Sequence, residues 1–337
     1  MLVRNNIIKH PLGIELETPL LIPSFSSKGF SFNNHGESEA TDALKVSKEF
    51  LTESLLVSAY DLYHKHIPYS EEFVCTDLTV IDSGGYETSH IYDLSATSKY
   101  PYPIKEWSID KLDEVLYQWP KHKAAVIVSY DHGTERHALE MQIKLAEELF
   151  NKHSSFLSDF LVKPETDAQQ YIQIENVIRG ISQFGQFAII GVTEKELGNS
   201  ILNRMKNISK IRKGLDDANN NAPIHVFGSL DPITSILYFL AGAEIFDGLT
   251  WLKYAYFNGP AIYQTNFGAF HPELGIHVRD SQVRSKSIVN NLYFLERMKY
   301  IMKEFISTND FSLFESLGVG ISDLLKKSYS TFITNNK

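Results

Sequence analysis

Eight short apolar runs rich in β-branched residues, each bounded by turn residues, constrain this chain more than any other feature of its sequence. They cover residues 19–25, 55–60, 78–81, 124–130, 160–163, 187–192, 224–227 and 244–246, and longer amphipathic stretches separate most of them. Helical spacing is clearest in residues 136–151, where Leu139, Ile143, Ala146 and Phe150 share a face, and in residues 232–241, directly after a strand. Strand-helix alternation is the pattern of a parallel sheet, and eight repeats in 337 residues predict an α/β fold of the (β/α)8 TIM-barrel class. No Pro/Gly/Ser-rich linker interrupts the pattern, so residues 1–337 read as one domain. The longest insertion, residues 87–120, carries Tyr92, Tyr100, Tyr102, Trp107 and Trp119, and reads either as a packed loop or as an active-site lid. After the eighth run, residues 287–306 place Ile288, Leu292, Leu295, Met298 and Met302 on one side of a helix that closes the barrel.

Composition narrows the class further. With 43% hydrophobic and 22% charged residues the chain is globular, and its single cysteine, Cys75, excludes an intrachain disulfide and any multi-cysteine metal site. No apolar run reaches the roughly 20 residues that span a bilayer, and Arg4, Lys9, His10 and Glu15 break the N-terminal stretch, so the expectation is a cytoplasmic protein with no membrane partner. The net charge of -9 argues against nonspecific coating of nucleic acid, but residues 251–337 carry ten Lys/Arg against seven Asp/Glu. That segment reads as a local basic face or as a solvated helical surface.

A barrel of this class does its chemistry at the C-terminal ends of its strands, and those ends are polar here. The second run ends in Tyr60 and Asp61, the third in Asp82, Ser83, Gly84 and Gly85, and the fourth in Asp131. The fifth ends in Lys163, the sixth in Gly191, Val192 and Thr193, the seventh in Phe227, Gly228 and Ser229, and the eighth in Asp247. A single Asp there is commonly a helix cap, but several converging carboxylates suit substitution at a sugar anomeric carbon, one attacking and one shuttling the proton of the leaving group. The glycines after Asp82 let backbone N–H groups approach a ligand.

These residues resemble the tRNA-guanine transglycosylase family, which exchanges guanine in a polynucleotide for a 7-deazaguanine base. Thr18, Pro19 and Pro23 are similar to its opening strand, Ser58-Ala59-Tyr60-Asp61-Leu62 to its second, and Asp82-Ser83-Gly84-Gly85-Tyr86 to its "DSGGF/Y" segment. His225-Val226-Phe227-Gly228, Asp231-Pro232 and Ala241 through Asp247 resemble its passage from seventh to eighth strand, and Asn291-Leu292-Tyr293-Phe294 its closing helix; the resemblance spans about residues 14–305. It implies Asp247 as the nucleophile toward ribose C1′ and Asp82 as the general acid/base. It also implies Asp131 as the reader of the guanine N1 and N2 edge, Gly191 and Val192 as backbone contacts to the base, and Tyr86 and Phe227 as its aromatic sandwich. Ser83, Gly84, Gly85 and Gly228 complete the implied substrate site, which uses no cofactor.

Two family glutamines are replaced, by Lys163 and by Glu87, and both changes bear on base selectivity. No cysteine follows Cys75, so the family's zinc site of three Cys and a His has no counterpart, and the resemblance leans toward the branch that modifies DNA rather than tRNA. Its implied partners are DNA or tRNA, a free 7-deazaguanine such as preQ0, and an accessory protein or a second copy of the chain. Arg279, Arg284 and Lys286 are the phosphate-contact candidates. Two other classes remain open. A noncatalytic nucleic-acid-binding subunit of the same family is one, against which Asp82 and Asp247 count. A metal-dependent amidohydrolase is the other, suggested by His64, His66, Lys163 and Asp247, although its histidine pair should end the first strand.

Overall fold

The computed structural model describes residues 2–68, 75–89, 102–132, 135–271 and 276–336. Eight parallel strands close on themselves: Leu20–Phe25, Ser54–Ser58, Leu78–Asp82, Ala125–Val128, Leu157–Val162, Ile189–Thr193, Ile224–Phe227 and Ile245–Gly248. Each pairs with its neighbour in chain order, and the eighth pairs with the first through Asp247 opposite Ile22. With helices between the strands, this is the (β/α)8 barrel that the alternation predicts.

Side-chain parity decides what each strand delivers. Alternate residues of a strand point to opposite faces. Leu20 and Ile22, Leu78 and Val80, Val126 and Val128, Leu161, Ile189 and Ile245 pack together inside the barrel. The residues between them, such as Leu21, Ile81, Ile127, Val162, Val192 and Phe246, face the helix layer. Continuing the inward parity toward the C-terminal ends reaches Ser24, Ser58, Asp82, Tyr130, Lys163, Thr193, Phe227 and Asp247. A lower lumen that is apolar except for Asp159 and His225 therefore gives way to a polar mouth.

The N-terminal end is sealed. A hairpin of Ile7–Lys9 and Glu15–Glu17 adds Ile8 and Leu16 to the lumen cluster, each worth about 1.5–3 kcal/mol when fully buried. Beside it, Arg212 is fully buried, donates to the carbonyls of Ala222 and Asn220, and lies 2.8 Å from Asp216 and 3.6 Å from Glu244. A buried guanidinium with this many acceptors is a structural group, at the end of the barrel away from the polar mouth.

Several boundaries differ from the sequence reading; the fourth strand stops at Val128 rather than residue 130, and the fifth starts at Leu157 rather than residue 160. The second strand stops at Ser58 and the chain turns at once into the helix Ala59–Tyr63, so Asp61 is not a strand-end residue: it is buried against Ser27 and His66. The helix expected from residue 136 begins at Leu139: Ala138 before it is extended, Leu139 N donates to Glu165, and Arg136 pairs with Asp131 instead. The closing helix runs over Asp280–Thr308, longer than 287–306, and a second helix, Ile321–Asn335, packs beyond it against Pro232–Leu240. Within the insertion, Tyr92 and Tyr100 lie outside the described residues. Trp119 is buried in the core, and Ser108 caps the helix Ile109–Gln118 by accepting from Lys111 N.

Candidate active site

The inward-facing strand ends open into one cavity of about 1070 Å³, lined by residues of seven strands and of the segment after the fourth. Asp247, Asp82 and Asp131 all line it, together with Ser83, Gly85, Tyr86, Lys163, Phe227 and Gly228. Gly84, Gly191 and Val192 do not. Val192 points into the helix layer, and Gly191 lies beneath the Phe227 ring, where an added Cβ would come within 2.6 Å of that ring. Gly84 adopts φ +89° under Trp107 and Tyr60, a left-handed turn with no room for a side chain.

Asp247 is held from three sides. Ser24 Oγ, on the neighbouring first strand, donates to its Oδ2 at 2.7 Å, and Gly228 N donates to Oδ1 at 3.1 Å. Gly228 takes φ +77°, which turns its N–H toward the carboxylate at a conformation L side chains rarely adopt. His225 Nε2 lies 3.3 Å from Oδ1.

Asp82 has the opposite setting. One backbone donor, Gly84 N at 3.1 Å, reaches its Oδ2. Burial raises its carboxyl well above the ordinary carboxylate range, and the charges of Glu87, Asp247 and Asp131 push the same way. Glu87 is raised too, by burial first and then by Asp61, although it accepts from Ser26 Oγ and from Ser58 Oγ at 2.7 Å. The short helix Gly85–Thr88 that carries Tyr86 and Glu87 is tied down by Lys28, whose Nζ donates to the carbonyls of Tyr86 and Ser89 at 2.6 Å. Trp107 Nε1 donates to Ser83 O at 2.8 Å, and residues 104–107 of the insertion form part of the cavity wall.

The third carboxylate is already engaged. Arg136 lies 3.0 Å from Asp131 Oδ1 and Lys163 3.1 Å from Oδ2, while Lys163 also reaches Glu196 at 2.8 Å. Burial would raise Asp131, but the two cations outweigh it and hold its carboxyl below the usual range. Glu196, Arg136 and Lys195 line this part of the cavity and were not singled out from the sequence. The charged run Glu194-Lys195-Glu196, directly after the sixth strand, is the available signal.

The remaining candidates sit elsewhere. Arg279 and Lys286 are exposed at the start of the helix Asp280–Thr308, and Arg284 is half-buried, 3.3 Å from Glu39 and over the Phe30 ring. None of the three lines the cavity. His64 contacts the Glu106 carbonyl and His66 is buried against Asp61 and Ser27, so neither reaches the cavity as an amidohydrolase ligand would. Among the described residues no three His, Cys, Asp or Glu side chains are grouped to hold a metal ion, and no helix is long and apolar enough to cross a membrane. In comparisons with known proteins, no family model and no curated protein matches this chain.

Proposed function

We propose that this chain is a base-exchange transglycosylase, replacing guanine in a polynucleotide with a 7-deazaguanine base through a covalent enzyme-ribose ester. The observation that carries this reading is the contrast between two carboxyl groups facing one cavity. Asp247 is an acceptor oriented by Ser24 and Gly228, whereas Asp82 has one backbone donor and a carboxyl that burial and the charge of Glu87 push up toward its protonated form.

In the first displacement Asp247 attacks ribose C1′, the bond from C1′ to guanine N9 breaks with its electron pair leaving on the base, and Asp82 gives that base its proton. In the second, the incoming base loses its N9 proton to Asp82 and attacks C1′, releasing Asp247. Two inversions give retention, and no cofactor or nucleotide hydrolysis enters the balance. Tyr86 and Phe227 supply ring faces for an unstacked base. DNA is the polynucleotide we propose, because the cysteines of the family's zinc-bearing tRNA enzymes have no counterpart after Cys75.

The test is incorporation of labelled guanine or preQ0, assayed in parallel on DNA and on total tRNA, with proteins encoded beside this one added as accessory factors. Incorporation into DNA is expected. Incorporation confined to tRNA would overturn the choice of polynucleotide but keep the reaction, and none into either would favour a noncatalytic nucleic-acid-binding subunit.

A further inference from the structure

Asp159 has no part in the reaction just described, yet it is the inward-facing carboxylate of the fifth strand and its side chain is fully buried in the lumen. Its Oδ2 lies 2.7 Å from His225 Nδ1, and the other ring nitrogen, Nε2, faces Asp247 Oδ1 at 3.3 Å. The second contact lacks hydrogen-bond geometry. A carboxylate, an imidazole and a carboxylate thus cross the barrel from the fifth strand to the seventh and eighth. The sixth strand lies between, and a Cβ on its Gly191 would come within 2.7 Å of Asp159 Oδ1, so only glycine leaves the line open.

We propose that Asp159 and His225 are positioning residues for Asp247: Asp159 anchors the imidazole as a cation whose charge, set beside Oδ1, speeds breakdown of the covalent ester. The role rests on the base-exchange reading for its chemistry and on the geometry for its parts. Oδ1 faces both Gly228 N and His225, whereas Oδ2 faces only Ser24 Oγ, so Oδ2 is the freer oxygen to bond C1′. Forming that ester removes the charge of Asp247. In the second displacement the C1′–Oδ2 bond breaks, its electrons return to the carboxylate, and a fixed positive charge beside Oδ1 stabilises the negative charge as it develops. Neither Asp159 nor His225 gains or loses a proton in the cycle.

The surroundings favour the cation. Burial alone would depress the imidazole, but Asp159 and then Asp247 outweigh it and raise His225 to about 9. Burial lifts Asp159 as well, against the pull of His225. Asp247 on the far side adds to the effect of Asp159 on the ring. The charged groups facing the imidazole are Asp159 and Asp247; the sixth strand presents Gly191, and the Phe227 ring lies 3.8 Å away between centroids.

The experiment has two arms. The first needs no substrate: nitrogen NMR of the full chain with labelled histidine reads the charge of His225 against pH in the wild type, in Asp159→Asn, and in His225→Gln for assignment. A cation at neutral pH in the wild type that becomes neutral in Asp159→Asn is expected. A neutral wild-type ring, or an unchanged one in Asp159→Asn, would overturn the proposal whatever the reaction is. The second arm quantifies enzyme-polynucleotide adduct under denaturing conditions together with turnover. In Asp159→Asn and His225→Gln the adduct should accumulate while its breakdown slows by roughly 10²-fold, the scale of losing one preorganised charge-stabilising group. A loss of turnover with no rise in adduct would overturn the assignment to ester breakdown, and His225→Gln carries the test if Asp159→Asn does not fold. A wild type that forms no adduct and exchanges no base would instead overturn the base-exchange reading, with the NMR arm still judging the charge relationship.

Discussion

Lys163 Nζ sits 3.1 Å from Asp131 Oδ2 and 2.8 Å from Glu196 Oε2, bridging two acids on the cavity wall. With Arg136 on the other oxygen of Asp131, that carboxylate has a cation on each side. Two N–H donors of a guanine edge would compete with them. Lys163→Gln should therefore free Oδ2 of its cation and put a neutral side chain after the fifth strand. The expected outcome is a KM for guanine lower by about tenfold, the scale of one hydrogen bond to a charged group, with a changed preference between guanine and preQ0 in competition assays.

Asp247→Asn should abolish exchange and form no adduct, because the amide is a poor nucleophile in the same place. Asp82→Asn should slow the first displacement by about 10²–10⁴-fold, the range for loss of a general acid, while binding of the polynucleotide stays near wild type. Single-turnover kinetics and a binding isotherm separate the two. Full exchange by the Asp247 variant would remove the nucleophile assignment.

Neutralising Glu87 should move the pH profile. In the proposed reaction Asp82 works from its protonated form, which is lost as pH rises through its raised pKa, so exchange should fall on the alkaline side. Burial is the first cause of that elevation and Glu87 the second. Removing the Glu87 charge lowers the Asp82 pKa, so in Glu87→Gln the alkaline fall should come at lower pH than in the wild type. A pH profile of the single-turnover rate measures it, and an unmoved limb would mean that Asp82 is not the group titrating.

Asn291 supports the loop after Asp247. Fully buried on the closing helix, it donates to the carbonyls of Trp251 and Tyr254, both at 2.7 Å, and accepts from Tyr256 N at 2.7 Å. Asn291→Ala leaves three backbone groups without this partner and should destabilise the fold by about 2–4 kcal/mol, since a buried group left unpaired costs about 1–3 kcal/mol. Asn291→Asp, which keeps the acceptor but loses the two N–H donors, should also destabilise. Denaturant unfolding gives both values.

The barrel was legible in the chain because it is written locally. Strands buried on both faces need continuous apolar runs, turns need Gly, Asn or Asp, and the alternation repeats eight times, so Asp82, Asp131 and Asp247 could be placed at strand ends from spacing alone. What only the tertiary structure decided lies in contacts between distant residues, where no local pattern exists. Asp159 and His225 stand 66 positions apart and meet because barrel closure and inward parity aim both into one lumen past Gly191. Arg136 reads as the start of a helix by its spacing, but Ala138 is extended and Leu139 N donates to Glu165, 26 positions away, so the helix begins only at Leu139. Asp61 followed an apolar run as closely as Asp82 does, yet the chain turns at Ser58 and buries it against Ser27 and His66. Local sequence determines which segments become strands and where the mouth lies; which carboxylate is free, paired or protonated depends on burial and on neighbours that only the closed barrel brings together.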